Sequence, residues 1–312
     1  MTSYLITGGA GFIGSNLVEE LCRRREAVRV LDNFITGRRE NLSGLENKIE
    51  LIEGDLRDFD TVRKAASGVD FILHQGALPS VPFSVDDPVT TNEINVGGTL
   101  NVLIAAREAE VKRVVIASSS AVYGDTPALP KEEGMATRPL SPYAVSKLTA
   151  EQYGCAFHGV YGLETVALRY FNVFGPRQDP ASRYAAVIPI FIKAFLKNES
   201  PTIFGDGEQS RDFAYVDNVV AANLLATTAP DAAGGVYNIG SGERRTLNEL
   251  VEHLKKIIDT DSEAINAPPR PGDIMHSWAD ISLAKEKLGF EPLTGFVDGL
   301  EKTVNWYKEQ AG

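Results

Sequence analysis

Tyr143 and Lys147 stand four residues apart in Ser141-Pro142-Tyr143-Ala144-Val145-Ser146-Lys147, a stretch whose pattern opens a helix running to about Val160. At that spacing both side chains project from one helix face. A phenol with an ordinary pKa near 10 is a poor base at neutral pH, but adjacent cations stabilise its phenolate. Lowering it to about 7 takes roughly 4 kcal/mol, within reach of two neighbouring positive charges in a water-poor site. A Tyr and a Lys at this spacing are by themselves an ordinary surface pair, so their context decides.

Two further groups supply that context. Ser118-Ser119-Ser120-Ala121-Val122-Tyr123-Gly124 follows the β-branched run Arg113 to Ala117, so three hydroxyls stand at the carboxyl end of a strand. Serines there often only form turns, bonding their own backbone. At the start of the chain, the apolar strand Tyr4-Leu5-Ile6-Thr7 runs into Gly8, Gly11 and Gly14. Gly8 allows a sharp turn, Gly11 lets backbone approach a pyrophosphate, and Gly14 lets the next helix pack closely, its N-terminus facing an anion. Val28-Arg29-Val30-Leu31 then reads as a second strand ending at Asp32, eighteen residues past Gly14, where a dinucleotide fold places the acid for the ribose hydroxyls. An acid there repels a 2′-phosphate and favours NAD, while Arg38 and Arg39 just beyond keep NADP open.

The elements that must hold these groups alternate strand and helix. Ile49 to Ile52 is a strand ending at Gly54-Asp55-Leu56, with Asp55 placed to meet the adenine. Phe71 to His74 is another, followed by Gln75-Gly76-Ala77, where small residues let backbone approach a ligand. Asn92 to Arg107 carries an amphipathic helical pattern. The expected architecture is α/β: a doubly wound parallel Rossmann sheet with ligand at the strands' carboxyl ends, and a smaller α/β substrate domain interleaved in the C-terminal half. Residues 1–170, with about 213–240 returning to it, form the nucleotide-binding domain, and 171–312 form the second. The helix from Val216 and the strand Val236 to Ile239 make that return.

Composition narrows the partners. The 312 residues are 43% hydrophobic and 23% charged, enough for a large core, with a net charge of −11 that speaks against nucleic acid or an anionic membrane as main partner. Cys22 and Cys155 lie in helical patterns with no C-x-x-C or Cys/His cluster, and His74, His158, His253 and His276 show no ligand spacing. No catalytic metal is expected. The apolar run from Ala185 to Leu196 contains Lys193 and is too short for a bilayer. With a strand starting almost at Met1, these features point to a reducing cytoplasm.

Taken together, these motifs resemble the extended short-chain dehydrogenase/reductase family, and within it the nucleotide-sugar epimerases and dehydratases. The match runs along essentially the whole chain and includes Asn95-Val96-Gly97-Gly98-Thr99, Arg169-Tyr170-Phe171-Asn172-Val173-Phe174-Gly175-Pro176 and Arg211-Asp212-Phe213 in the family's order. The resemblance implies tightly held NAD and a nucleoside-diphosphate sugar between domains. It implies Ser119, Tyr143 and Lys147 as catalytic residues. It assigns the cofactor to Gly8, Gly11, Phe12, Ile13, Gly14, Asp32, Asn33, Asp55, Leu56, Gln75, Ala77, Asn95, Ser118 and Tyr170, beside Tyr143 and Lys147. It assigns the sugar nucleotide to Ser80, Ser119, Ser120, Tyr143, Asn172, Val187, Arg211, Arg270, Asp273 and Ser277, with Arg211 and Arg270 as a pyrophosphate pair.

Departures narrow the reading. The family's 4,6-dehydratases carry Thr-Asp-Glu where this chain has Ser119-Ser120-Ala121, and its glucuronate enzymes place a basic residue near Pro79-Ser80-Val81-Pro82, whereas here no Arg or Lys occurs between residues 65 and 106. That string is instead similar to UDP-N-acetylglucosamine and UDP-glucose 4-epimerases. Members restricted to non-acetylated sugars tend to carry Tyr where this chain has Ser277, and a small residue leaves room for an N-acetyl group. The expected activity is therefore a UDP-sugar 4-epimerase. The alternatives are a UDP-glucuronate decarboxylase or epimerase, or a nucleotide-sugar 4-ketoreductase, on the same scaffold, and, in another class, an NAD-sensing protein without turnover. The helices near 92 to 107 and 143 to 160 are expected to pair with their copies in a homodimer.

Overall fold

A computed structural model describes residues 1–180, 186–269 and 274–311. Seven parallel strands form its central sheet: β1 (Ser3–Thr7), β2 (Ala27–Asp32), β3 (Ile49–Glu53), β4 (Phe71–His74), β5 (Arg113–Ser119), β6 (Glu164–Tyr170) and, after a long excursion, Val236–Ile239. Their spatial order is Val236–Ile239, β6, β5, β4, β1, β2, β3, so the winding reverses between β1 and β4. A doubly wound sheet opens a crevice at that reversal, outside the strands' carboxyl ends.

Successive strand residues feed opposite faces. In β1, Ile6 packs into one core layer with α1 (Phe12–Arg23), and Leu5 packs into the other with α2 (Phe59–Ala66) and α5 (Gly98–Glu108). Both are fully buried, which contributes roughly 2 kcal/mol each. Two short helices, α3 (Val81–Asp86) and α4 (Pro88–Asn92), precede α5. The expected helix from 92 to 107 is present as one helical run continuous with Pro88–Asn92, and it widens to a π-type turn at Glu93–Gly97. Thr99 Oγ1 donates to the Asn95 carbonyl at 2.5 Å, and the Asn95 side chain is bound to other segments, which favours the widened turn.

The long α6 (Pro142–Tyr161) lies beside β5 and β6. It is capped by Ser141, whose hydroxyl accepts from Ala144 N at 3.1 Å, with Pro142 in its first turn. Beyond β6 come β7 (Asn172–Phe174), α7 (Val187–Leu196), β8 (Thr202–Phe204), β9 (Ser210–Arg211), β10 (Phe213–Tyr215), α8 (Val216–Thr228) and β11 (Val236–Ile239). The chain ends with β12 (Arg245–Thr246), α9 (Leu247–Ile258), β13 (Ile265–Ala267), β14 (His276–Ser277), α10 (Ser282–Leu288) and α11 (Phe296–Ala311). A separate core forms where α7, α9 and α11 enclose Phe174, Phe191, Phe213 and Phe296, with Phe213 and Phe296 stacked at 5.5 Å. Beside it β9 is paired on both edges: Arg211 lies opposite Arg245 of β12 and Ser277 of β14. No helix among the described residues is long and apolar enough to cross a membrane.

Candidate active site

The glycine turn at the end of β1 forms one wall of the crevice. Gly8 has φ +67°, and a Cβ there would stand 2.7 Å from Gly76 Cα. A Cβ on Gly14 would come within 2.1 Å of the Gly8 carbonyl oxygen, so the helix can start this close to the strand only with glycine. No side chain caps α1 and its first turn holds no acid, leaving the N–H groups after Gly11, those of Phe12 and Ile13 among them, for an anion. These are the features a dinucleotide pyrophosphate requires, and the residues present fit one.

Asp32 closes the second strand. Its carboxylate accepts from Ala10 N at 2.9 Å and Phe34 N at 2.8 Å; burial pushes its pKa up while those backbone bonds oppose the rise. Arg38 and Arg39 both meet carboxylates, Arg38 bonding Asp179 at 2.5 Å and Arg39 pairing with Glu53 while lying over the Phe34 ring. Asn33 Nδ2 donates to Asp55 at 2.9 Å, and the Arg57 guanidinium holds the Asp55 carboxyl down at about 2. Leu56 is buried, its Cβ 2.7 Å from where a Cβ on Gly98 would sit.

His74, at the end of β4, organises the far wall. Gly76 N donates to Thr7 Oγ1 at 3.2 Å, Thr7 Oγ1 meets His74 Nδ1 at 2.7 Å, and His74 Nε2 meets Thr99 Oγ1 at 2.9 Å. Since Thr99 gives its own proton to the Asn95 carbonyl, it accepts from Nε2–H, which fixes the neutral tautomer with Nδ1 accepting from Thr7. Burial lowers the His74 pKa to about 3, with the nearby Lys147 charge acting in the same direction. Asn95 ties Leu78 by both backbone groups and donates to Ser146 Oγ at 3.0 Å, and Ser146 donates to the Tyr143 carbonyl at 2.8 Å. Tyr143 N in turn donates to Ser84 Oγ at 3.0 Å. The main chain of Tyr143 is thus fixed on both sides by segments that follow β4, while Ala77 lies between them, partly exposed.

Within this frame the Tyr143 phenol is partly buried, with Ser119 beside it. Burial pushes its pKa up and Ser119 pulls the other way. The expected lowering rests on two cations together, Lys147 and the nicotinamide; among the side chains present, the one that lowers the phenol is Ser119. Lys147 is buried and its ammonium donates to the Ala117 carbonyl at 2.8 Å, so much of its charge is spent on β5. Burial lowers Lys147 to about 8, against the attraction of Glu151.

Other expected residues have different partners. Ser118 donates to Glu151, so its hydroxyl faces α6, whereas it was expected to meet the cofactor. Tyr170 donates to Gln75 Oε1 at 3.2 Å and accepts from Asn223 Nδ2 at 2.8 Å, and Gln75 Nε2 donates to Asn223 Oδ1 at 3.0 Å, so both side chains engage α8. Ser80 caps α3 through Phe83 N at 3.1 Å, and Ser120 opens a short 3-10 turn. Asn172 is exposed at the start of β7 and Val187 is partly buried at the start of α7. Arg211 donates to the Ser210 and Met275 carbonyls at 3.0 and 3.2 Å with Ser277 beside it. Arg270 and Asp273 lie outside the described residues. Three residues were not foreseen. His74 has no ligand spacing, Arg245 is brought to Arg211 only by strand register, and Glu151 has a sequence signal, since it continues the four-residue step from Tyr143 and Lys147.

With this geometry in view, the relatives can be placed. The family model described as NAD dependent epimerase/dehydratase family matches residues 4–240. The chain belongs to that family. It is 42% identical over 97% of its length, and 98% of the relative's, to a putative UDP-glucose 4-epimerase of Methanocaldococcus jannaschii. A solved UDP-N-acetylglucosamine 4-epimerase from Methanobrevibacter ruminantium, in complex with UDP-N-acetylmuramic acid, superposes with a TM-score of 0.95 at 43% identity over 99% of both chains. A UDP-glucose 4-epimerase of Thermus thermophilus in complex with NAD gives 0.88 at 38% identity over 98% of this chain and 99% of that one. The family is NAD-dependent, and the epimerases among these relatives act on UDP-sugars.

Proposed function

We propose that the chain is a UDP-sugar 4-epimerase that interconverts UDP-N-acetylglucosamine with UDP-N-acetylgalactosamine and also UDP-glucose with UDP-galactose. The observation that carries this reading is the meeting of Tyr143 and Ser119 at the end of β5, with Lys147 one helical turn away, beside a glycine turn suited to a pyrophosphate. Asp32, with Arg38 and Arg39 both engaged by carboxylates, supports NAD over NADP. Residues 1–170 with 213–240 serve the cofactor and 171–312 the sugar nucleotide, whose diphosphate falls to Arg211 and Arg270.

NAD, which the glycine turn and Asp32 would hold, would supply an acceptor for the hydride of C4 of the sugar and its return to the opposite face, so no external redox partner would be consumed. Tyr143 Oη takes the proton of the sugar 4-hydroxyl and later gives it back, and Ser119 Oγ hydrogen-bonds the same oxygen and helps the proton pass. Because burial raises the phenol, phenolate at neutral pH depends on positive charge brought beside it, the role of Lys147 and of an oxidised nicotinamide. The 4-keto sugar must rotate before reduction, while the nucleotide stays anchored.

Exposed Val85, Val89 and Val145 lie on α3, α4 and α6, which pack side by side, and support a homodimer through these helices. In the helical run that α4 opens, Val89 is exposed, while α5 is largely buried between α2 and α6. A cytoplasmic location fits an enzyme that draws on nucleotide sugars and NAD.

The test is incubation of purified protein, without added reductant, with UDP-N-acetylglucosamine and UDP-glucose in separate reactions, products being resolved by NMR. Formation of the galacto epimers with no net NADH supports the reading. No conversion of either sugar sinks it, and UDP-glucuronate and keto-sugars with NAD(P)H then become the substrates to try.

A further inference from the structure

Three charged side chains are enclosed together behind the proposed site, and that site as described does not use two of them. Lys147 is 7% exposed, Glu151 0% and Arg169 4%. Glu151 lies one turn beyond Lys147 on the helix face that also carries Tyr143. Arg169 of β6 grips it through two parallel bonds, Nε to Oε1 at 2.9 Å and Nη2 to Oε2 at 2.8 Å, and Ser118 of β5 donates to Oε1. Arg169 is itself held by Tyr123, whose hydroxyl accepts from Nη1 at 2.9 Å and donates to Asn238 Oδ1 at 2.7 Å. Burial opposes the charge on Arg169, but the bonds and charge of Glu151 outweigh it and keep it cationic.

A buried arginine and glutamate could exist only to join β6 to α6, and such a pair often adds little net stability. Its connections point further. Ser118, which Glu151 binds, directly follows Ala117, whose carbonyl receives the Lys147 ammonium at 2.8 Å. The carboxylate therefore holds the strand end that aims Lys147, from a residue one turn along the same helix face, and its charge acts on that ammonium. The other titratable groups facing the cluster are His74 of β4, which is neutral and sits near Lys147, Tyr143 and Cys155 of α6, Tyr123, and Glu133, whose carboxyl burial pushes up and Arg169 pulls down and whose carbonyl also reaches Arg169.

We propose that Glu151 is a positioning residue for the reaction: clamped by Arg169 and Ser118, it keeps Lys147 an ammonium and fixes where that ammonium points. Removing the carboxylate's charge while keeping its shape leaves Lys147 enclosed with a cation and no anion. Lys147 then gives up its proton at lower pH, and the activity that requires it fails earlier as pH rises.

The proposal rests on Tyr143 and Lys147 being the working pair, so Tyr143→Phe is assayed in parallel. The experiment is the pH profile of kcat/KM for epimerisation by the NAD-loaded enzyme, wild type against Glu151→Gln, with folding checked by circular dichroism. The expected result is an alkaline limb moved toward acid by about one pH unit or more. Ser118→Ala, which keeps the carboxylate's charge, leaves that limb in place. A folded Glu151→Gln enzyme that is slower by one factor at every pH, with its limb where wild type has it, shows a structural role and overturns the proposal. If Glu151→Gln does not fold, the double variant Glu151→Gln/Arg169→Met is used: it loses the carboxylate's attraction together with the arginine's repulsion, so its limb is expected to move toward acid by less, and an unmoved limb overturns the proposal. A Tyr143→Phe enzyme as fast as wild type overturns the functional reading and this proposal with it. Loss of activity in Tyr143→Phe with an unmoved limb in the Glu151 variant overturns this proposal alone.

Discussion

Thr99 stands between His74 and the main chain, donating its hydroxyl proton to the Asn95 carbonyl at 2.5 Å and accepting from His74 Nε2 at 2.9 Å. The imidazole must therefore stay neutral, since a proton on Nδ1 would turn the Thr7 contact at 2.7 Å into a clash of donors unless Thr7 let go. Its pKa, lowered to about 3, lies below the ordinary 6.5, so the unfolded chain binds this proton first. The resulting stabilisation is complete above about pH 6.5 and is lost as pH falls toward 3, an effect on the order of a few kcal/mol. We predict that His74→Gln is less stable than wild type at pH 7.5 and that the gap narrows by pH 4.5, read by thermal melts of both proteins at each pH. A gap independent of pH contradicts this account.

Lys147 carries the opposite consequence for the fold. Its ammonium is enclosed and lowered to about 8, so at neutral pH the folded state pays for keeping it charged. The cost is full below about pH 8 and disappears as pH rises through the ordinary value near 10.5. Lys147→Met, which fills the same space without charge, is predicted to be more stable by about 1–3 kcal/mol at pH 7 and to gain less at pH 10. Epimerase activity should fall at least 100-fold in the same protein. Urea unfolding at the two pH values, with an activity assay on each sample, checks both halves.

Much of this was legible in the sequence because local rules and the global fold agree. The strands at Val28, Ile49, Phe71 and Arg113 and the α6 helix with its Ser141 cap were all readable from apolar runs, turn residues and caps. The glycine turn was readable because sterics leave no substitute: Gly14 meets the Gly8 oxygen. What escaped depends on contacts between distant segments. The helix expected at 92 to 107 forms, but its π-type turn beside Asn95, which is bound to Leu78 and Ser146, is not registered by periodicity. The partners of the Ser118 and Tyr170 hydroxyls, Glu151 for one and Gln75 with Asn223 for the other, come from other segments of the chain. Arg245 reaches Arg211 only through the pairing of two-residue strands.

That pairing gives a test of sugar choice. Ser277 on β14 is partly buried and lies directly beside Arg211 on β9. A phenol ring in its place would add bulk beside Arg211. Ser277→Tyr is predicted to reduce kcat/KM for UDP-N-acetylglucosamine by about 10-fold or more relative to UDP-glucose, the range one steric contact in a pocket supplies. The two rates measured on one preparation give the ratio. An unchanged ratio removes Ser277 from the account of specificity.

Two glycine-to-alanine changes separate crowding from conformational freedom. At Gly14 an added Cβ would stand 2.1 Å from the Gly8 oxygen and 2.8 Å from Gly9 Cα, so α1 must move away from β1. Gly14→Ala should therefore lose about 2 kcal/mol or more of stability and weaken NAD retention, because the N–H groups beyond Gly11 move with the helix. Gly159 lies in the last turns of α6, exposed, with nothing within 4 Å of the same added atom. There alanine only restricts the unfolded chain, and Gly159→Ala is predicted to raise stability by roughly 0.5–1 kcal/mol with activity unchanged. Chemical denaturation of both variants, with NAD retained through gel filtration measured by absorbance, distinguishes the cases. Equal destabilisation by the two changes contradicts the argument from close approach, and retention of NAD by a destabilised Gly14→Ala protein separates the helix's packing from its role at the anion.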